Sequence, residues 1–176
     1  MRDEARSLPA HPEPAEVTAL RVWHCKYKSL EGLSAFVNLK TLVIATYPDA
    51  DLTPLRGMSR LEYLRIMHMP KVSDLGPLSQ LQRLRTVRLS TLPSWDSSGK
   101  KTIVQSLAPL TELPELAHLE LFGVLPEDGT LDALEKCRSL TAIRVSKYRK
   151  NEIERFYRVT ELPDSFAPSP GVDDWI

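Results

Sequence analysis

Six short stretches repeat one pattern along this chain: VTALRV at 17–22, LKTLVI at 39–44, LEYLRI at 61–66, LRTVRL at 84–89, LAHLEL at 116–121 and LTAIRV at 140–145. Each carries an aliphatic residue at its first, fourth and sixth positions, so its second half alternates as a strand with one covered face does. Successive stretches start 22, 22, 23, 32 and 24 residues apart. A regular period in this range marks an array of stacked units.

Between the strands a second element recurs: SLEGL at 29–33, DLTPL at 51–55, DLGPL at 74–78, SLAPL at 106–110 and TLDAL at 130–134. The distance from its first residue to the next strand motif is always ten residues, so all variation in length falls between a strand and the element after it. Ser, Asp or Thr ahead of Leu-x-x-Leu supplies the side-chain oxygen that an N-cap needs. Pro54, Pro77 and Pro109 then fall in the first turn, where a missing N–H costs nothing. Each unit therefore reads as a strand, a turn and a brief helical return that lays the next strand parallel to the last. A unit this small buries too few side chains to offset the ordering of its backbone, so neighbours must cover each other's leucines and both ends need caps.

These residues resemble the leucine-rich-repeat family, and the short unit with an Asp/Ser-Leu-x-x-Leu return resembles the internalin-type bacterial repeats. The resemblance spans Val17 to Tyr148. It implies an α/β solenoid with a parallel concave sheet of about six strands and short helical or 3-10 convex segments. It also implies protein binding, since such repeats usually bind proteins and none of their consensus residues is catalytic. In one respect the chain departs from the family. The turn position usually held by Asn or Cys is Cys25 in the first unit but Tyr47, Met69, Leu92, Val124 and Tyr148 in the others, which predicts an apolar spine and a less regular arc.

Three regions follow. Residues 1–16, with Pro9, Pro12 and Pro14, read as a flexible or irregular N-terminal cap; 17–149 are the array; 150–176 are a capping helix followed by a Pro-rich acidic tail. In KNEIERFYRV at 150–159 the residues Ile153, Phe156, Tyr157 and Val159 recur at near-helical spacing and suit a cover for the last unit. Phe166 and Trp175 are costly to leave in water, so the tail either folds back on the array or docks on a partner.

If the leucines point inward, the residues between them form an outward display. The central row is Arg21, Val43, Arg65, Arg88, Glu120 and Arg144; it is flanked by Trp23, Ala45, Met67, Ser90, Phe122 and Ser146 on one side and Ala19, Thr41, Tyr63, Thr86, His118 and Ala142 on the other. Arg with aromatic and Met groups is the composition of protein interfaces. Adjacent Arg65 and Arg88 would repel by about 1 kcal/mol in a water-like dielectric. An acidic partner would relieve this, as would pairing of Glu120 with Arg88 or Arg144. The long fourth unit adds a polar insertion at 91–105, in which Trp95 stands beside Asp96 and ahead of Lys100 and Lys101. It reads either as a binding loop with an aromatic anchor or as a surface insertion whose Trp tucks against the array. The candidate partner-binding residues are thus Arg21, Trp23, Tyr63, Arg65, Met67, Arg88, Trp95, His118, Glu120, Phe122 and Arg144.

Other classes find little support. With 23 basic and 23 acidic side chains and a pI near 6.9, the chain lacks the basic footprint of a nucleic-acid or anionic-membrane binder. The start does not read as a secretory signal, and no stretch has the apolar length of a membrane helix. His11, His24, His68 and His118 form no ligand motif, and His24 and His68 would stand about 10 Å apart, two strands away from each other. Cys25 and Cys137 are too far apart in sequence to form a CxxC pair, and no Gly-rich phosphate motif occurs. No enzyme, metal or cofactor is expected. The expected protein is a cytoplasmic, bacterial binding module, an inhibitor or adaptor, acting as a monomer or a weak end-to-end dimer. The alternative is the recognition or regulatory part of a ligase or phosphatase assembly, or an injected effector.

Overall fold

Equivalent positions of the six motifs become lateral neighbours. The computed structural model describes residues 5–23 and 26–172. Its main sheet is parallel and runs in the order β1 (Ala19–Val22), β2 (Thr41–Ile44), β3 (Tyr63–Ile66), β4 (Thr86–Ser90), β6 (His118–Phe122) and β8 (Ala142–Ser146). Its register pairs Arg21 with Val43, Val43 with Arg65, Arg65 with Arg88, Arg88 with Glu120 and Glu120 with Arg144, which is the central row read from the sequence. The fold is the leucine-rich-repeat solenoid.

The returns are 3-10 turns at Glu31–Ala35, Thr53–Leu55, Gly76–Gln80 and Asp132–Lys136, together with a one-turn helix. Their capping chemistry is the expected one, displaced by a residue. Ser29, Asp51, Asp74 and Ser106 each accept the N–H two positions on, at 3.2, 2.8, 2.7 and 3.0 Å, so the residue at the formal cap is the buried Leu between. In the fifth return Thr130 does not do this. Asp128 accepts the Thr130 N–H at 2.9 Å, and Glu152 from the C-terminal helix accepts that of Leu131 at 2.7 Å. Leu30, Leu33, Leu39 and their counterparts in every coil fill one continuous interior. Of the turn positions expected to form an apolar spine, Tyr47, Met69, Val124 and Tyr148 are buried and Leu92 is half-buried; Cys25 lies outside the described residues.

The insertion at 91–105 is folded rather than a free loop. A short helix, α1 (Pro93–Ser97), precedes β5 (Thr102–Val104), which pairs in parallel with β7 (Val124–Pro126) to make a second, two-stranded sheet; the one-turn helix α2 (Ala108–Thr111) follows. Turning from β6 into β7 requires Gly123. Its φ is +69°, and a Cβ there would lie 2.6 Å from Thr91 Oγ1 of the preceding coil.

Both ends of the described array are covered. Residues 5–16 run beside the first return. Ser7 bridges to Ser29, Lys28 N–H donates to Arg6 O at 2.7 Å, Leu8 packs on the core, and Asn38 Nδ2 bonds Ala15 O at 2.8 Å. At the other end α3 (Lys150–Thr160) buries Phe156 completely. Arg155 of α3 bonds Glu152 at 2.8 and 3.0 Å and reaches across to Asp132 and Glu135 of the last coil. The bond from Arg155 is the main reason the Glu152 carboxyl is held below its ordinary range. Glu161, at φ +56°, ends the helix and turns the chain back toward the sheet.

Gly123→Ala is expected to lower stability by about 1–3 kcal/mol, through backbone strain and the Thr91 clash together. Gly57→Ala, whose Cβ would meet nothing within 4 Å, serves as the control in denaturant unfolding and is expected to stay within about 1 kcal/mol of wild type.

Candidate functional site

The side chains displayed by the sheet divide into two halves. Toward β1 the face is open: Arg21 is exposed, Trp23 is 38% exposed, and Arg65 and Met67 are half-buried. Val43 and Tyr63 lie among them but are buried.

Toward β8 the face is occupied. Glu120, expected at the surface, is only 2% exposed. Its Oε2 accepts Arg88 Nε at 2.7 Å and its Oε1 accepts the backbone N–H of Ala167 at 2.7 Å. Arg88 also donates to the Tyr63 hydroxyl at 3.2 Å. The Arg65–Arg88 repulsion is thereby relieved within the chain, by the Glu120 pairing, and requires no partner. Both oxygens of this buried carboxylate are thus engaged, one by a guanidinium and one by a main-chain amide.

Residues 163–167 of the tail cross this half. Ile143 N–H of the edge strand donates to Pro163 O at 3.3 Å, and Ile143 and Asp164 form a parallel bridge. Arg144 Nε lies 3.8 Å from the Asp164 carboxylate, and its guanidinium sits 3.8 Å from the centre of the Phe166 ring. Phe166 in turn meets Phe122 edge-to-face at 6.3 Å. Burial and then the Asp164 carboxylate push the Tyr157 phenol up to about 12, and its hydroxyl donates to Ile143 O at 2.9 Å. Of the two fates open to the tail, folding back is the one observed for this segment. Trp175 lies outside the described residues. His118 is half-buried in the row beside Glu120.

Trp95 is half-buried and packs against the preceding coil. Its ring stands against His68 at 4.6 Å between centroids, nearly perpendicular, with Lys100 Nζ 5.6 Å from the ring centre. His68 is 6% exposed, and burial pulls its imidazole below the ordinary 6.5. The separation expected between His24 and His68 cannot be given, since His24 lies outside the described residues. Among the described residues no group of His, Cys, Asp and Glu is arranged to hold a metal ion, and no helix is long and apolar enough to cross a membrane.

No protein-family model matches the chain, and no curated protein does. Solved structures do. Internalin C2 from Listeria monocytogenes aligns with a TM-score of 0.54 at 23% identity, over 74% of this chain and 52% of its own. A second Listeria monocytogenes internalin, inlF, aligns with a TM-score of 0.42 at 20% identity, over 69% of this chain and 39% of its own. The chain thus aligns with about half the length of internalin C2. The first likeness shares the solenoid fold.

His68 makes the insertion's packing measurable. Its folded-state value lies below the 6.5 of the unfolded chain, so its contribution to stability is full above pH 6.5 and declines as pH falls from 6.5 toward the folded value. Trp95→Ala is expected to raise the imidazole value toward 6.5, to flatten that decline, and to cost about 1–2 kcal/mol at neutral pH. Histidine NMR titration beside urea unfolding at several pH values checks all three.

Proposed function

We propose that this chain binds another protein through the open half of its concave face, around Arg21, Trp23, Arg65 and Met67, and serves as an inhibitor or adaptor. The observation that carries the reading is Trp23, a large aromatic 38% exposed on a face it shares with two arginines and a methionine. Aromatic, Arg and Met side chains concentrate binding energy where they meet a partner, with the arginines setting charge preference. The one carboxylate of the central row, Glu120, is buried and paired to Arg88. On this reading the partner carries an acidic patch that meets the arginines of the open half.

Trp95 has a supporting role here. It helps hold the insertion beside the array, so the insertion contributes a rigid flank rather than a mobile anchor. A cytoplasmic setting belongs to the same reading, supported by the two widely spaced cysteines, one of which, Cys137, is a buried free thiol. Leucine-rich-repeat proteins bind through side chains of the sheet, and this chain has a sheet of six strands on which to do it.

The test is quantitative capture from a cell extract with three immobilised full-length baits: wild type, Arg21→Glu with Arg65→Glu, and the control Arg56→Glu with Arg60→Glu, which reverses two exposed charges off the strands. Partners specific to this face are expected to fall about tenfold or more on the first variant and to stay unchanged on the second. Equal retention on all three baits would remove the open half from consideration.

A further inference from the structure

We propose that Glu120, Phe122 and Arg144 form a reading site for an extended peptide segment of the form acidic–x–aromatic–small, and that Asp164 to Ala167 of this chain occupy it as a built-in competitor of the partner. The proposal rests on the protein-binding reading above for the class of partner and extends it to the covered half of the same face.

Each contact of the tail reads a different feature of the segment that makes it. The Arg144 guanidinium faces the Asp164 carboxylate at 3.8 Å and the Phe166 ring at 3.8 Å, which selects an acidic group two residues before an aromatic one. Phe122 meets that aromatic ring edge-to-face. Glu120 Oε1 accepts the N–H of the following residue at 2.7 Å and so reads main chain, which any sequence but Pro supplies. That residue, Ala167, is 8% exposed, a covered position that favours a small side chain. Glu120 is held for this task by Arg88, bonded to its other oxygen at 2.7 Å, with Arg88 itself braced by Tyr63. The site is therefore preorganised by residues that do not belong to the tail.

The occupant is lightly attached. Phe166 remains 61% exposed, the Asp164 side chain 59%, and Ser165 and Pro168 are exposed too. A ring packed to stabilise the array would be buried, as Phe156 is at 0%. The segment also begins beyond the left-handed turn at Glu161, while α3 is anchored independently through Phe156 and Arg155. Residues 163–167 can lift away while the helix stays in place. Their tether gives them a high local concentration at the site, which an incoming segment must outcompete.

The test uses the full chain and a fluorescent peptide, LPDSFAPSPG, corresponding to 162–171. In anisotropy titrations, Phe166→Ala and Ala167→Trp are each expected to bind the peptide saturably, wild type about tenfold or more weakly, and none to bind a peptide with Ala in place of its Phe. In untouched wild type, amide exchange at Ala167 is expected to be at least about a hundredfold faster than at Leu119 and Leu121, since opening of 163–167 leaves the interior of the array in place. Absence of saturable binding to both variants, binding as tight to wild type as to the variants, or an Ala167 amide as protected as those of β6 would overturn the proposal. Any of these results, obtained while the Arg21/Arg65 variant still loses its partner, removes the competitor and leaves the open-half reading standing.

Discussion

A single coil of this chain cannot cover its own leucines, and everything else follows from that constraint. Each strand is four or five residues long in the main sheet and each return is one turn, so a coil's apolar side chains are enclosed only where the next coil lies on them. The invariant ten-residue step from return to strand keeps successive coils superimposable. Superimposable coils place like positions side by side, and a row of outward residues becomes a surface. The ends, which have no next coil, are closed by other means: an irregular segment at 5–16 and an amphipathic helix with Phe156 buried beneath it.

Much of this was legible from residue spacing alone. The strand register, the side-by-side order of Arg65, Arg88, Glu120 and Arg144, and the apolar spine at Tyr47, Met69 and Tyr148 all depend on local periodicity, which a sequence carries openly. What depends on distant segments was not. Glu120 is buried because Ala167, 47 residues further on, closes over it, and nothing near Glu120 signals that contact. The insertion pattern was visible as a change in length, yet β5 is only three residues long and pairs with a strand of equal length, too little for any period to show. Trp95 stands out in the sequence, but its neighbour His68 belongs to the coil before it and becomes a partner only through stacking.

The division of the concave face into an open and a covered half changes the electrostatic picture. A row containing four arginines and one glutamate suggests a strongly basic surface. In the folded chain Arg88 is neutralised by Glu120, and Arg144 is shared between Asp164 and the Phe166 ring. Arg21 and Arg65 stand on the other half of the row, beside Trp23 and Met67. The strip proposed to bind a partner and the strip covered by the tail are thus adjacent on one sheet, with arginines in both.

Six coils share one interior and stand or fall together. Equilibrium unfolding of wild type and Leu64→Ala in urea, followed in parallel by far-UV circular dichroism and tryptophan fluorescence, tests it directly, since Leu64 is fully buried in the third coil. One transition, coincident in both signals, is expected for each protein, with the variant less stable by about 2–5 kcal/mol and its midpoint lowered equally by both probes. Separate transitions, or a loss seen by one signal alone, would mean that the coils fold as independent units and would contradict the account.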